Sequence, residues 1–85
     1  SVEPFLVYLG DHDWIISVPA AKWSISLLEK IARSDYGMSD SDIKGNAFNS
    51  FRNYIFSQVT ILQVHHLHAS RGESAVRDMV RQLIV

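Results

Sequence analysis

Three of the four histidines in this 85-residue chain lie close together in the stretch QVTILQVHHLHAS, which spans residues 58–70. If the stretch is helical, His65 and His68 are neighbours on its surface, a spacing that can hold a metal ion. A zinc site needs a third ligand, and the only dense group of candidates is Asp11, His12 and Asp13. The pattern lacks the two histidines and glutamate of a zinc-protease helix. We therefore favour histidines that close a helix and interact with its dipole, and we expect no metal or other cofactor.

The sequence Asp11-His12-Asp13 is a second group of titratable side chains, which could act as an acid–base pair or as metal ligands. A solvated turn is the favoured interpretation, because aspartate side chains commonly bond to their own backbone in turns. The chain shows no arrangement of serine, histidine and aspartate typical of a catalytic triad, and no phosphate-binding loop. The sequence therefore predicts a protein that is not an enzyme.

Composition and charge limit the kinds of partner. Eight lysines and arginines stand against nine aspartates and glutamates, for a net charge of −1 and with no basic run, whereas nucleic-acid-binding proteins usually carry a basic surface. No apolar stretch approaches the roughly 20 residues of a membrane span. The absence of cysteine excludes disulfides and thiolate ligands and suits a reducing compartment. We expect a single domain over residues 1–85, located in the cytoplasm, that binds neither nucleic acid nor a membrane.

Two apolar runs near the amino terminus, residues 5–9 and 14–18, flank the sequence GDHD, which suits a tight connection. Their valine, isoleucine, tyrosine and tryptophan residues favour strands, so the pattern predicts a β-hairpin. Phe5, Val7 and Leu9 alternate onto one face, but the positions between them are apolar as well. A two-stranded ribbon with two apolar faces is not stable alone and must be covered by helices or by another chain.

Helical periodicity begins in residues 20–34. This segment places Trp23 and several aliphatic residues on one face and charged residues on the other, which predicts an amphipathic helix with Trp23 in the core. Gly37 can end the helix in the left-handed conformation. Ser39, with Asp42 three residues later, fits a capping box for a short turn of helix.

Residues 46–68 fit a helix better than a strand. At about 100° per residue the apolar side chains, Leu62 among them, gather on one side and the polar side chains on the other. Asn46 suits the N-cap of this helix. The β-branched run VTI at 59–61 conflicts locally with a helix, so a third strand over residues 59–66, paired with the hairpin, is the alternative.

A last helix is predicted over residues 71–84, with a capping box formed by Ser70 and Glu73 at its start. Its apolar positions form a wide stripe, and the chain stays apolar through Leu83 and Ile84. Because chain ends are usually frayed unless they are tied down, we expect this end to dock in the core or against a partner.

The middle of the chain permits a second functional interpretation, because a helix, a Tyr-Gly-Met-Ser turn and a second helical segment have the outline of a helix-turn-helix. In that case Arg52 and asparagines such as Asn49 would face the major groove, since both residue types read base edges. The connection is longer than the usual three to four residues, and Asp40 and Asp42 would lie near phosphates. Two packed helices with a polar outer face are the favoured interpretation.

These patterns together predict an α+β fold, with an N-terminal β-hairpin followed by about three packed helices. The hairpin and the apolar carboxyl terminus leave apolar surface after one small core is filled, and such surface marks an interface. We therefore expect a non-enzymatic protein–protein interaction or regulatory module that binds a partner protein or itself, as a homodimer. The expected interface residues are Phe5, Val7, Leu9, Trp14, Leu83 and Ile84. A helix-turn-helix DNA-binding regulator and a histidine-based metal-binding protein are the alternatives.

Overall fold

The computed structural model describes the backbone of residues 4–9 and 12–84, and the side chains of residues 17–84. Within these residues, two strands are followed by five helices. In chain order the elements are β1 (Pro4–Leu9), β2 (His12–Ser17), α1 (Val18–Tyr36), α2 (Asp40–Lys44), α3 (Asn46–Gln58), α4 (Ile61–Arg71) and α5 (Glu73–Leu83).

β1 and β2 form an antiparallel ribbon in which Phe5 is paired with Ile16 and Val7 with Trp14. The ribbon leads directly into the helices, because β2 ends at Ser17 and α1 begins at the next residue.

The packed body of the protein is helical, so the predicted α+β fold with about three helices is wrong. Helices make up 87% of the part described with side chains, and no strand lies between residues 18 and 84. Every buried hydrophobic residue in that part belongs to α1, α3, α4 or α5. The physical reason is that the apolar stripes of these helices cover one another, so that the core is closed without a sheet.

α1 is longer than the predicted segment 20–34, because signals at both of its ends hold additional residues in the helix. At its start the Ser17 hydroxyl accepts a hydrogen bond from the backbone N–H of Ala20 at 3.4 Å. At its end the predicted stop is confirmed: Gly37 has a φ of 67° and its N–H donates to the carbonyl of Ala32. Glycine enters this left-handed region without the steric penalty of a Cβ atom.

The capping box predicted at Ser39 and Asp42 is confirmed. The Ser39 hydroxyl accepts from the backbone N–H of Asp42 at 3.2 Å, and the Asp42 carboxylate accepts from the backbone N–H of Ser39 at 3.0 Å. These two bonds satisfy backbone N–H groups that have no hydrogen-bond partner at an uncapped helix start. They therefore help a helix as short as α2 to form. The predicted cap at Asn46 is wrong, because Gly45 is the N-cap and Asn46 is the first residue of α3.

The helix predicted over residues 46–68 is broken in two, and the alternative third strand is also wrong. Val59 has extended backbone angles, with φ −134° and ψ 157°, and ends α3. Thr60 then begins α4 with a capping box: its hydroxyl accepts from the N–H of Gln63 at 2.9 Å, and the Gln63 side chain accepts from the N–H of Thr60 at 2.7 Å. This break lets α3 and α4 pack separately against α1.

The capping box predicted at Ser70 and Glu73 is wrong. Ser70 lies inside α4, where its hydroxyl donates to the backbone carbonyl of His66 at 2.8 Å. The chain turns at Gly72, whose φ of 88° favours glycine. α5 then begins at Glu73 without a side-chain cap.

In the described part of the chain, the buried hydrophobic residues form a single cluster that joins α1, α3, α4 and α5. Its largest fully buried side chains are Phe56, Leu28, Ile31, Ile55, Ile61, Val64, Val76 and Val80. Leu83 and Ile84 are half-buried and pack against this cluster. The Tyr54 hydroxyl donates to the backbone carbonyl of Leu83 at 2.9 Å, so the end of α5 is docked on the protein's own core.

A network of ion pairs joins α5 to α1. Arg77 donates to the carboxylates of Asp35 at 2.5 Å and of Glu73 at 3.0 Å. The Lys30 ammonium donates to the other carboxylate oxygen of Glu73 at 2.9 Å. The hydrogen bonds from Lys30 and Arg77 lower the pKa of Glu73 below its ordinary value, and the hydrogen bond to Glu73 raises the pKa of Arg77. Glu73 is therefore held as a carboxylate between the two helices.

Candidate functional site

The three clustered histidines lie on two sides of α4. His65 and His68 are half-buried and contact α1, whereas His66 is exposed. The helical period explains this division, because residues three apart share a side, whereas His66 follows His65 directly and is turned about 100° away from it. α4 therefore presents a different surface on each side.

On the side that faces α1, Trp23 lies against both half-buried imidazoles. The centre of its indole is 4.9 Å from that of the His65 ring, at an angle of 79°, and 4.2 Å from that of the His68 ring, at 37°. The prediction that Trp23 belongs to the core is wrong, because 42% of the residue is exposed. Shallow cavities of about 380 and 240 Å³ lie beside the indole. We call Trp23, His65 and His68 the aromatic cluster.

The aromatic cluster alone does not make a metal site. No group of three histidine, cysteine, aspartate or glutamate side chains able to hold an ion lies among the described residues. The Nδ1 atoms of His65 and His68 are buried and have no hydrogen-bond partner in that part of the chain. The predicted third ligand, His12, belongs to β2, where side chains lie outside the described part. The metal hypothesis that combined His12, His65 and His68 therefore stays untested.

On the opposite side of α4, an open apolar groove of about 570 Å³ lies between α4 and α5. Its apolar lining consists of Val59, Leu62, Leu67 and Met79. Val59, Leu67 and Met79 are half-buried and pack onto the core. Leu62 does not belong to the core, and 46% of it is exposed. We call this surface the α4–α5 groove.

The polar lining of the α4–α5 groove consists of Gln63, His66, Ser70 and Arg71, and no acidic side chain is among the described lining residues. Arg71 is exposed at the carboxyl end of α4. In the part of the chain with described side chains it is the one arginine without a polar partner. The partners of the other arginines are Asp40 for Arg33, Asn49 for Arg52, Asp35 and Glu73 for Arg77, and Asp78 for Arg81.

The predicted partner interface cannot be assembled from the described side chains. Four of its members belong to β1 and β2 and lie outside them: Phe5, Val7, Leu9 and Trp14. Its other members, Leu83 and Ile84, are half-buried against the chain's own core. This part of the chain leaves the α4–α5 groove open, and the prediction did not include it.

α3 carries the residues that the helix-turn-helix hypothesis placed in a DNA groove. The guanidinium of Arg52 lies 5.9 Å from the centre of the Phe48 ring and donates to the Asn49 side chain at 3.1 Å. The helix before it, α2, contributes Asp40 and Asp42 at its exposed start. Arg52 is therefore engaged with its own helix, and the neighbouring carboxylates would repel phosphates.

Comparisons of the chain with models of protein families, with curated proteins and with solved structures found no match. Within the described residues, no helix combines the length and the apolar character needed to cross a membrane.

The sequence contains a signal for the start of α4 that periodicity alone did not reveal. The segment Thr60-Ile-Leu-Gln63 fits a capping box, so a helix begins there. In the resulting α4, Ile61 and Val64 are buried while Leu62 is exposed. Treating residues 46–68 as one helix had instead placed Leu62 with the buried residues.

Proposed function

We propose that this protein is a non-enzymatic interaction module that binds a partner protein in the α4–α5 groove. The observation that carries the proposal is Leu62, which is 46% exposed beside an apolar groove of about 570 Å³. Leu62 does not belong to the buried cluster, so core packing does not account for its apolar side chain. Covering apolar surface is favourable by about 25 cal/mol per Å², so a partner that covers Leu62 and the apolar walls of the groove gains binding free energy.

The form of the groove supports a protein partner over a small molecule. Small-molecule sites are concave, enclose most of the ligand and bring a few polar groups together. The α4–α5 groove instead begins at Val59 and follows one face of α4 to Arg71, and its polar side chains are distributed along that length. A long open surface of this kind suits an element of another protein.

The observed contacts give less support to the alternatives. His65 and His68 pack against Trp23, which gives them a role without a metal. The Arg52 guanidinium, the main base reader of the DNA-binding hypothesis, contacts Phe48 and Asn49. A homodimer formed through the ribbon and a location in the cytoplasm stay predictions from the sequence.

Site-specific photo-crosslinking tests the proposal. The photoreactive amino acid benzoylphenylalanine replaces Leu62 in one preparation and Val18, an exposed apolar residue of α1, in the other. In extract of the source cells, the preparation labelled at position 62 should give a discrete crosslinked protein. Excess unlabelled protein should compete for it, and excess Leu62→Lys protein should not. The proposal fails if position 62 gives no product, or only the products that position 18 gives.

A further inference from the structure

Among its described lining residues the α4–α5 groove combines apolar walls with one unpaired cation, and from this we infer that its occupant is an amphipathic α-helix with an acidic residue in its first turn. The inference rests on the proposed function, because both concern the same groove. It names the chemistry of the partner element, which the proposed function leaves open.

The shape of the groove fits a helix. Within α4 its lining positions recur at intervals of three and four residues, from Leu62 to Arg71. The groove therefore follows the axis of α4 over roughly 14 Å, or about two and a half helical turns. Met79 of α5 forms the opposite wall. A helix that lies in such a groove inserts apolar side chains at positions i, i+3 or i+4, and i+7, where they meet Leu62, Leu67 and Met79.

Arg71 supplies the charge that the occupant must match. Its guanidinium has no polar partner in the described part of the chain, whereas Arg33, Arg77 and Arg81 each pair with a carboxylate. The described lining of the groove offers Arg71 no acidic side chain. A carboxylate on the partner can accept two parallel N–H hydrogen bonds from the guanidinium in a bidentate pair, which adds geometric selectivity as well as attraction.

The position of Arg71 sets the direction of the bound helix. Arg71 is the last residue of α4, so it stands at one end of the groove. An acidic side chain is most favourable in the first turn of a helix, near the positive end of the helix dipole. The occupant therefore begins beside Arg71 and runs antiparallel to α4, past Leu67 and Leu62 towards Val59.

Other occupants match this chemistry less well. A second copy of α4 packed antiparallel in the groove would bring another Arg71 and no carboxylate among the described lining residues. Anionic membrane surfaces are recognised by clusters of about four to eight cationic residues, whereas the groove lining carries a single arginine among its described residues.

Selection from a displayed library of helical peptides tests the inference on the full 85-residue chain. The library varies the apolar positions and allows acidic, basic and neutral residues equally in the first and last turns. Selection on the immobilised protein should enrich aspartate or glutamate over lysine in the first turn by about tenfold. The last turn should show no such enrichment, because no cation lines the other end of the groove in the described part.

Arg71→Glu is the decisive variant, because it reverses the charge and leaves the apolar walls intact. Selection on Arg71→Glu should favour lysine in the first turn. Lys22→Glu makes the same change in net charge at an exposed position of α1 and should keep the acidic preference. Leu62→Lys should abolish enrichment altogether, and its circular dichroism should match the parent because Leu62 lies outside the core.

The outcomes separate this inference from the proposed function. Three results would overturn the inference of an acidic helix. The library yields no enriched helix, the first turn shows no acidic preference, or Arg71→Glu leaves that preference unchanged. If crosslinking at position 62 still captures a discrete protein, the groove binds a partner of different chemistry and the proposed function stands. If the protein self-associates and Leu62→Lys abolishes this, the groove binds a second copy instead. If the protein binds vesicles and Leu62→Lys abolishes this, the groove binds a membrane instead.

Discussion

At the scale of single residues, Glu73 has the best-defined electrostatic environment in the described part of the protein. The hydrogen bonds from Lys30 and Arg77 lower its pKa in the folded state below the ordinary value of 4.5. The unfolded chain therefore binds a proton at this residue more readily than the folded chain does. The contribution of Glu73 to stability is complete above pH 4.5 and is lost as the pH falls through the lowered folded-state pKa.

We expect Glu73→Gln to remove this part of the pH dependence of stability. The measurement is the urea midpoint of unfolding at a series of pH values on both sides of 4.5. Glu29→Gln is the matched control, because no ion pair joins Glu29 to another residue with a described side chain. Identical pH profiles for the parent and Glu73→Gln would show that the ionisation of Glu73 contributes nothing to stability.

The aromatic cluster gives a second prediction at this scale: His68→Ala should destabilise the protein more than His66→Ala. His68 packs on Trp23 at 4.2 Å, and an aromatic pair contributes about 0.5–1.5 kcal/mol beyond its buried area. His66 is exposed, so its replacement should change stability by a few tenths of a kcal/mol. If the histidines only interact with the helix dipole, as the sequence predicts, replacing either residue with alanine should cost no more than about 1 kcal/mol of stability.

The fluorescence of Trp23 provides the direct measurement. In a Trp14→Phe background, Trp23 is the remaining tryptophan, and His68→Ala should shift its emission to the red as water reaches the indole.

Added zinc should leave the melting temperature unchanged. A rise with zinc that His65→Ala abolishes would favour the metal hypothesis over this account of the aromatic cluster.

At the scale of secondary-structure elements, the break between α3 and α4 depends on Thr60. Its capping box with Gln63 begins α4, and replacing a threonine cap with alanine costs about 0.5–2 kcal/mol. We therefore expect Thr60→Ala to lower the free energy of unfolding by about 1 kcal/mol in urea titration.

Ser70→Ala is the control for Thr60→Ala. Ser70 bonds back to carbonyls inside α4 and caps no helix, so alanine should be tolerated or slightly stabilising there. A larger loss at Ser70 than at Thr60 would contradict the observed boundaries of α4 and support the helix start that the sequence pattern had suggested at residue 70.

At the scale of the whole molecule, self-association stays a prediction from the amino-terminal sequence. Its basis is the two apolar faces of the segment that contains Phe5, Val7 and Leu9. If the ribbon joins two copies, the melting temperature should rise with protein concentration, because association stabilises the folded state by mass action.

Sedimentation at micromolar concentration tests self-association directly. Val7→Lys should give a monomer, whereas Leu62→Lys should leave the oligomeric state unchanged because the α4–α5 groove serves another partner. A parent protein that sediments only as a monomer would rule out the homodimer and leave the groove as the proposed interface.

The sequence by itself determined features that depend on hydrogen bonds within a few residues. The stop at Gly37 and the capping box at Ser39 and Asp42 are of this kind, because their donors and acceptors are supplied by the same short segment. Ser70 and Glu73 show where local signals fail. Glu73 can form a capping box with Ser70 or pair with Lys30 and Arg77, and the pairing with Lys30 joins residues 43 positions apart.

Only the tertiary structure decided which side of α4 is exposed, what Trp23 contacts and how the core is closed. Each of these depends on the relative rotation of helices that are distant in sequence. Side chains follow one another at about 100° around a helix, so a new helix start at Thr60 sets which side every later residue of α4 occupies. Periodicity across residues 46–68 assumed one uninterrupted rotation and therefore assigned Leu62 to the core. The packed helices place Leu62 at the surface and His65 and His68 against Trp23.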